Sequence, residues 1–253
     1  MSDADIHPAI AVIQARMSST RLPGKAALDM GGAPMLGRLL ERLDGLPPEY
    51  GRIVATSETA ADDFIANTAQ DAGWQVIRGP LDDVLSRFAL SLDRHPARYV
   101  VRVTGDNPFT DPAALAAMVE IAEAHGADYV HAPGLPVGAA AEVFSAACLK
   151  RCAQEATSDY DREHINGYLY DNKDKFSIIA HQDDEGCVAR EVRLTVDTPE
   201  DYAFVQELYG ALDGDMATPH TAVVSAAQAL AQKRAQQAAQ KMARKLTQEL
   251  SHG

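Results

Sequence analysis

Residues 9–15 (AIAVIQA) are almost continuously apolar, the pattern of a strand buried on both faces of a parallel sheet. Shorter apolar runs follow at residues 52–56, 76–77, 99–103 and 127–131. Between them, residues 35–43, 62–72, 81–92 and a stretch opening at Asp111-Pro112 read as helices. Gly73 closes the second of these. Asp111 and Pro112 supply an N-cap and a first helical position for the fourth. Strands alternating with helices of this length predict an α/β fold, a mostly parallel sheet with helices on both faces. Residues 132–141 break the rhythm with two prolines and two glycines. A strand at 142–144, a helix carrying Cys148 and Cys152, and a polar helix from 159 to about 170 come next. Strands at 177–180 and 191–196 precede a helix that Thr198 and Pro199 open and that reaches residue 212. After a break at Asp213, Gly214 and Asp215, the chain from about Thr221 is Ala/Gln-rich and strongly helix-favouring. Its weak stripe (Val223, Ala227, Leu230, Arg234, Ala238, Met242, Leu246) predicts a helix docked on the body or on a second subunit, with a frayed tail as the alternative. No internal repeat is present.

The 253 residues are 46% hydrophobic and 23% charged, which excludes disordered and low-complexity classes. One α/β domain is the default reading, with two small domains open. No apolar run approaches the ~20 residues of a membrane span. The acidic start carries no hydrophobic stretch, so no signal peptide is expected. Three cysteines, an odd number, fit a reducing cytoplasm better than a disulfide framework. Cys148 and Cys152 lack zinc-ligand spacing and read as structural.

Charge changes the picture once it is divided. The net charge is −13, yet residues 221–253 hold five lysines and arginines against one glutamate, which leaves −17 on residues 1–220. Such a body repels nucleic acid and anionic membranes. An anionic ligand would need a local basic cluster or metal ions. The basic tail reads as a solvated helix face or a nucleic-acid arm, the former being the commoner case.

Three stretches lie where an open α/β sheet binds ligands, beyond the carboxyl ends of its strands. The first, after the opening strand, runs through Gln14, Ala15, Arg16, Ser18, Ser19, Thr20, Arg21, Gly24 and Lys25. Backbone amides of such a loop can cradle phosphates while Arg16, Arg21 and Lys25 neutralise them; a solvated basic loop is the plainer alternative. It is not a Walker loop, because Ala26 follows Gly24-Lys25, and no dinucleotide-binding glycine pattern follows the strand. The second stretch is Thr104, Gly105, Asp106 and Asn107 at the end of a central strand. The third delivers Asp197 before a helix. Each aspartate alone reads as a cap or turn residue. Together with the basic loop they outline a site for Mg²⁺ and a triphosphate.

These residues also carry a resemblance. Residues 13–25 (IQARMSSTRLPGK), 78–87 (RGPLDDVLSR), 103–108 (VTGDNP), 142–145 (EVFS), 160–164 (YDREH) and 194–201 (LTVDTPED) occur in family order. They resemble the cytidylyltransferases that activate sugar acids, of the acylneuraminate and 3-deoxy-manno-octulosonate type. The spore coat polysaccharide biosynthesis protein F-like branch is the nearest. The resemblance covers residues 9 to about 210. It implies a Rossmann-like nucleotide-diphospho-sugar transferase fold, GT-A-like, over residues 1–220, with an acceptor or dimerisation insert at about 132–190 and a helical extension at 221–253. It implies CTP as substrate, transfer of CMP to an acceptor, Mg²⁺ as cofactor and a homodimer. By the same resemblance Arg16, Arg21 and Lys25 hold the triphosphate, and Asp106 and Asp197 the metal. Arg78, Asp83 and Arg87 line the nucleotide or acceptor side. Glu142 belongs to the substrate-binding set, and Asp161, Arg162, Glu163 and His164 lie near the acceptor or a subunit interface.

Two departures stand out. Many relatives carry Gly-Leu-Asp where this chain has Gly138-Ala139-Ala140, so acceptor identity is open. Ser18 replaces a glycine, which matters if that backbone needs a positive φ. Two rival readings are a metal-dependent glycosyltransferase and a non-catalytic nucleotide-binding scaffold. The first needs an Asp-x-Asp pair at a strand end; Asp3/Asp5 and Asp213/Asp215 lie outside the predicted sheet, and Asp159/Asp161 falls in the predicted polar helix.

Overall fold

In the computed structural model, which describes residues 6–139, 142–181 and 192–251, the opening apolar run is strand β1 (His7–Gln14). Its side chains alternate between two separate cores. Ala9, Ala11 and Ile13 enter one, and Ile10 and Val12 enter the other. That two-sided burial is why the run carries no polar alternation. The remaining strands are β2 (Gly51–Ser57), β3 (Gln75–Gly79), β4 (Ala97–Thr104), β5 (Tyr129–His131), β6 (Glu142–Ser145) and β7 (Ile178–Ala180). They form one seven-stranded sheet in the order β3-β2-β1-β4-β6-β5-β7. Every pair is parallel except those of β6, which runs antiparallel to both β4 and β5.

Helices cover both faces. On one lie α1 (Met35–Arg42), α2 (Asp63–Asp71) and α4 (Pro112–His125), with α8 (Pro199–Ala211) and the start of α9 (His220–Ser251). On the other lie α3 (Val84–Arg94), α5 (Ala146–Glu155), α6 (Asp159–Glu163) and α7 (Gly167–Asp171). Asp111 caps α4 by accepting from the Ala113 amide, with Pro112 in the first turn. Cys148 and Cys152 are free thiols buried under α5. Val223, Val224 and Ala227 anchor the start of α9, and Arg234 pairs with Glu207 of α8 at 2.9 Å. The described side chains of residues 235–244 are exposed. Among the described residues no helix is long and apolar enough to cross a membrane.

Two expectations are corrected. Residues 192–196 are not a ladder strand; one parallel bridge joins Arg193 to Val137. Val192, Leu194 and Val196 place buried apolar side chains at alternate positions, which imitates a strand, but the amides of Leu194 and Val196 go to separate loops. Leu194 donates to Val137 O at 2.7 Å and Val196 to Asp106 O at 2.9 Å. Residue 191 lies outside the described residues. The polar helix expected from 159 to about 170 is two helices, α6 and α7. His164 leaves the helical region (φ −105°, ψ 88°), and the chain turns so that Gly167 packs on Asp161 and Tyr160.

Gly138 fixes how the 192–197 segment reaches the sheet. Its φ is +92°, and a Cβ there would stand 2.4 Å from the Thr195 nitrogen. Gly126, at φ +60°, has nothing within 4 Å. Gly138→Ala is therefore expected to destabilise the fold by about 3 kcal/mol or more. Gly126→Ala should lose only about 1 kcal/mol. Equal losses in urea denaturation would contradict the packing assigned to Gly138.

Candidate active site

The chain winds from β1 through β2 to β3 on one side, then crosses to β4 on the other side of β1. The carboxyl ends of β1 and β4 flank this reversal, where open α/β sheets bind ligands. A cleft of about 470 Å³ opens there. Gly105 sets its floor. Its amide donates to Gln14 O at 2.9 Å, and a Cβ would lie 2.8 Å from the Ala15 Cβ. Only glycine lets the two strand ends touch.

Gly24, at φ +72°, turns the basic loop into a short 3-10 turn at Lys25–Ala27. This delivers the Lys25 ammonium between two carboxylates. Its Nζ donates to Asp106 Oδ2 at 2.6 Å, Asp197 Oδ1 at 3.0 Å and Val196 O at 2.9 Å. Arg21 meets Asp197 Oδ1 at 2.9 Å, and Arg193 bonds the other Asp197 oxygen. Arg193 Nε also reaches Asp201 at 3.2 Å. Asp201 closes a capping box with Thr198. Burial pushes the Asp201 carboxyl up, but the amides of Asp197 and Thr198, the Arg193 charge and the Thr198 hydroxyl together hold the group below the usual carboxylate range. Arg16 pairs with Glu163 at 2.9 Å. Arg87 is 2% exposed, and its Nη1 donates to the carbonyls of Pro80 and Leu81. Burial and then the neighbouring Arg16 charge lower its pKa.

The cleft lining includes six cationic side chains (Arg16, Arg21, Lys25, Arg87, Arg102, Arg193) and three carboxylates (Asp106, Glu163, Asp197). An excess of cations in a strongly acidic body suits a polyanion. Asp106 and Asp197 converge on one cation position with hard oxygen donors. That suits Mg²⁺, which takes one or two carboxylates and completes its shell from phosphates and water. Among the described residues no group of three or more His, Cys, Asp or Glu forms a fuller metal cage.

Of the expected site residues, the structure gathers Gln14, Ala15, Arg16, Ser19, Arg21, Lys25, Arg87, Thr104, Gly105, Asp106, Asn107, His164 and Asp197 on this cleft. It leaves others away from the lining. Ser18 is exposed, and Asp213 is the one non-glycine residue with positive φ among the described residues, so Ser18 carries no backbone strain. Arg78 is held outside by Ser57 O and Thr59 O at 2.8 Å and Asp63 at 2.6 Å. Asp83 caps α3 through the Ser86 amide and faces Arg162 at 3.5 Å. Asp161 is held by Ser158 at 2.6 Å. Glu142 lines an adjoining recess of about 260 Å³ with Arg102, Thr104, Asn107 and His131. There it accepts from Arg102, Tyr129 and Asn166. Burial, then Glu142, pushes the Tyr129 phenol far up, so it stays a donor. Thr20 and Thr195, which stand inside two of the motifs, also line the cleft, and so does Arg193, which lies just before the last motif and was given no role in the sequence reading. Asp213 and Asp215 lie in the turn between α8 and α9, off the cleft, and Asp3, Asp5, Ala140 and Ala141 fall outside the described residues.

The sequence model of the family described as cytidylyltransferase matches residues 10–242. The chain belongs to the cytidylyltransferase family. It is a nucleotidyltransferase, with the mostly parallel α/β sheet of that fold. The matched span passes residue 210 and runs into α9, further than the quoted motifs reach. The chain is 32% identical over 203 residues to the spore coat polysaccharide biosynthesis protein SpsF of Bacillus subtilis, covering 78% of this chain and 85% of that one. An uncharacterized Methanocaldococcus jannaschii protein is 34% identical over 204 residues, covering 81% and 84%. A solved cytidylyltransferase from Leptospira borgpetersenii superposes with TM-score 0.80 at 28% identity, over 87% and 93% of the two chains. A CMP:2-keto-3-deoxy-manno-octonic acid synthetase complexed with CTP shares the fold at TM-score 0.59 and 18% identity, over 80% and 98%.

In this cytidylyltransferase the recess wall depends on Glu142, whose removal strands three donors. Glu142→Ala is expected to lower unfolding stability by about 2–3 kcal/mol, the site being partly solvated. A loss below about 0.5 kcal/mol in urea unfolding would contradict that network.

Proposed function

We propose that this protein transfers the cytidylyl group of CTP to an acceptor that is a sugar acid or a related anionic, hydroxylated molecule. Pyrophosphate is released and Mg²⁺ is required. The observation that supports it is the concentration of cations around a two-carboxylate point at the sheet's switch position. An acceptor oxygen attacks the α-phosphorus, the bond from that phosphorus to the bridging oxygen breaks, and pyrophosphate carries away the electron pair. Arg16, Arg21 and Lys25 hold the β- and γ-phosphates and balance the charge that grows on the leaving group. Asp106 and Asp197 would hold the metal, whose charge polarises the phosphate oxygens. The Lys25 ammonium then turns from the carboxylates to the phosphates. The recess beside Arg102 and Glu142 takes the acceptor. A carboxylate or phosphate acceptor needs no base; a hydroxyl acceptor does, and His164 is the imidazole on the cleft. SpsF, by its name, belongs to polysaccharide biosynthesis, which favours a sugar-derived acceptor here.

Calorimetric titration with CTP, UTP, ATP and GTP, each with and without Mg²⁺, tests this without knowledge of the acceptor. CTP is expected to bind tightest, and more tightly with Mg²⁺. Lys25→Ala should weaken CTP by about tenfold or more. A preference for UTP, or unchanged CTP binding in Lys25→Ala, would contradict the reading.

A further inference from the structure

The basic loop is anchored by a residue that no motif marks. Asp62 is 1% exposed and stands at the N-cap of α2, yet its carboxylate makes no cap bond to its own helix. Its Oδ1 accepts the Met17 amide at 2.7 Å, and its Oδ2 accepts the Ser57 amide at 3.2 Å and the Ser57 hydroxyl. Met17 is the hinge of the loop. It follows Arg16, and its carbonyl accepts the amides of Ser19 at 3.0 Å and Gly24 at 2.9 Å. Gly24 precedes Lys25. One carboxylate is thus linked through a single residue, Met17, to both ends of the loop that carries Arg16, Arg21 and Lys25. Three donors converge on Asp62, and the two backbone donors face different oxygens. A carboxylate, which only accepts, matches them. An asparagine would turn its NH₂ towards one of them.

We infer that Asp62 is a positioning residue that sets the phosphate-binding geometry of residues 16–25 through the Met17 amide. This rests on the reading of that loop as the triphosphate site. A buried carboxylate near a polyanion site opposes the ligand by charge. Its presence is therefore explained by order in the loop, not by attraction.

Inorganic tripolyphosphate with Mg²⁺ is the probe, titrated calorimetrically against wild type, Asp62→Asn, Ser57→Ala and Lys25→Ala, with melting temperatures taken in parallel. Asp62→Asn should weaken binding about tenfold or more. Ser57→Ala removes one arm and leaves the Met17 bond; it should lower the melting temperature with binding within about twofold of wild type. Wild-type affinity in Asp62→Asn, or losses in both variants that simply follow melting temperature, would overturn the inference. If Asp62→Asn does not fold, hydrogen exchange of the wild-type Met17 amide decides: protection like that of β1 amides supports the anchor, and exchange as fast as an open loop refutes it. Undiminished binding in Lys25→Ala would instead refute the phosphate-loop reading itself.

Discussion

Two carboxylates and one ammonium hold the functional end of this protein together. Asp106 and Asp197 lie 81 and 172 positions from Lys25 in the chain, and both accept from its Nζ. Each partner arrives by a different device. Lys25 comes on a loop turned by Gly24, and Asp106 follows a glycine that lets β1 and β4 touch. Asp197 rides a segment tied to Gly138, Val137 and Asp106 by close packing and two backbone bonds. A Cβ at Gly105 or Gly138 would strike backbone or a rigid neighbour, so these positions give the clasp little room to drift.

The same clasp explains how an acidic protein can take an acidic substrate. The negative charge lies over the body, while the cleft concentrates guanidinium and ammonium groups. In the free protein these cations neutralise the carboxylates a metal would use: Lys25, Arg21 and Arg193 all reach Asp197. A triphosphate with its divalent ion offers both halves of an exchange, anions for the cations and a cation for the carboxylates. Neither side then has to leave a buried charge unpaired.

Much of this was legible in the sequence, because strand β1 and the loop after it combine an unbroken apolar run with a dense set of cations. The strand-to-helix rhythm was legible for the same reason, that helices and parallel strands bury different periods. Residues 192–196 misled because alternation of apolar residues does not require ladder pairing; only the partners of their amides distinguish the two. Arg78 misled because its motif placement says nothing of direction, and its guanidinium folds back on the carbonyls after β2. Asp62 was invisible because its role depends on a contact across the fold: it meets a residue 45 positions away and looks, in sequence, like an ordinary helix cap.

The exchange of Lys25 for a divalent ion is tested most directly by Mn²⁺ binding to the nucleotide-free protein, followed by electron paramagnetic resonance. If the Lys25 ammonium occupies the cation position between Asp106 and Asp197, Lys25→Met should bind free Mn²⁺ about threefold or more tightly than wild type. Unchanged or weaker Mn²⁺ binding in the variant would show that these two carboxylates are not the metal's seat.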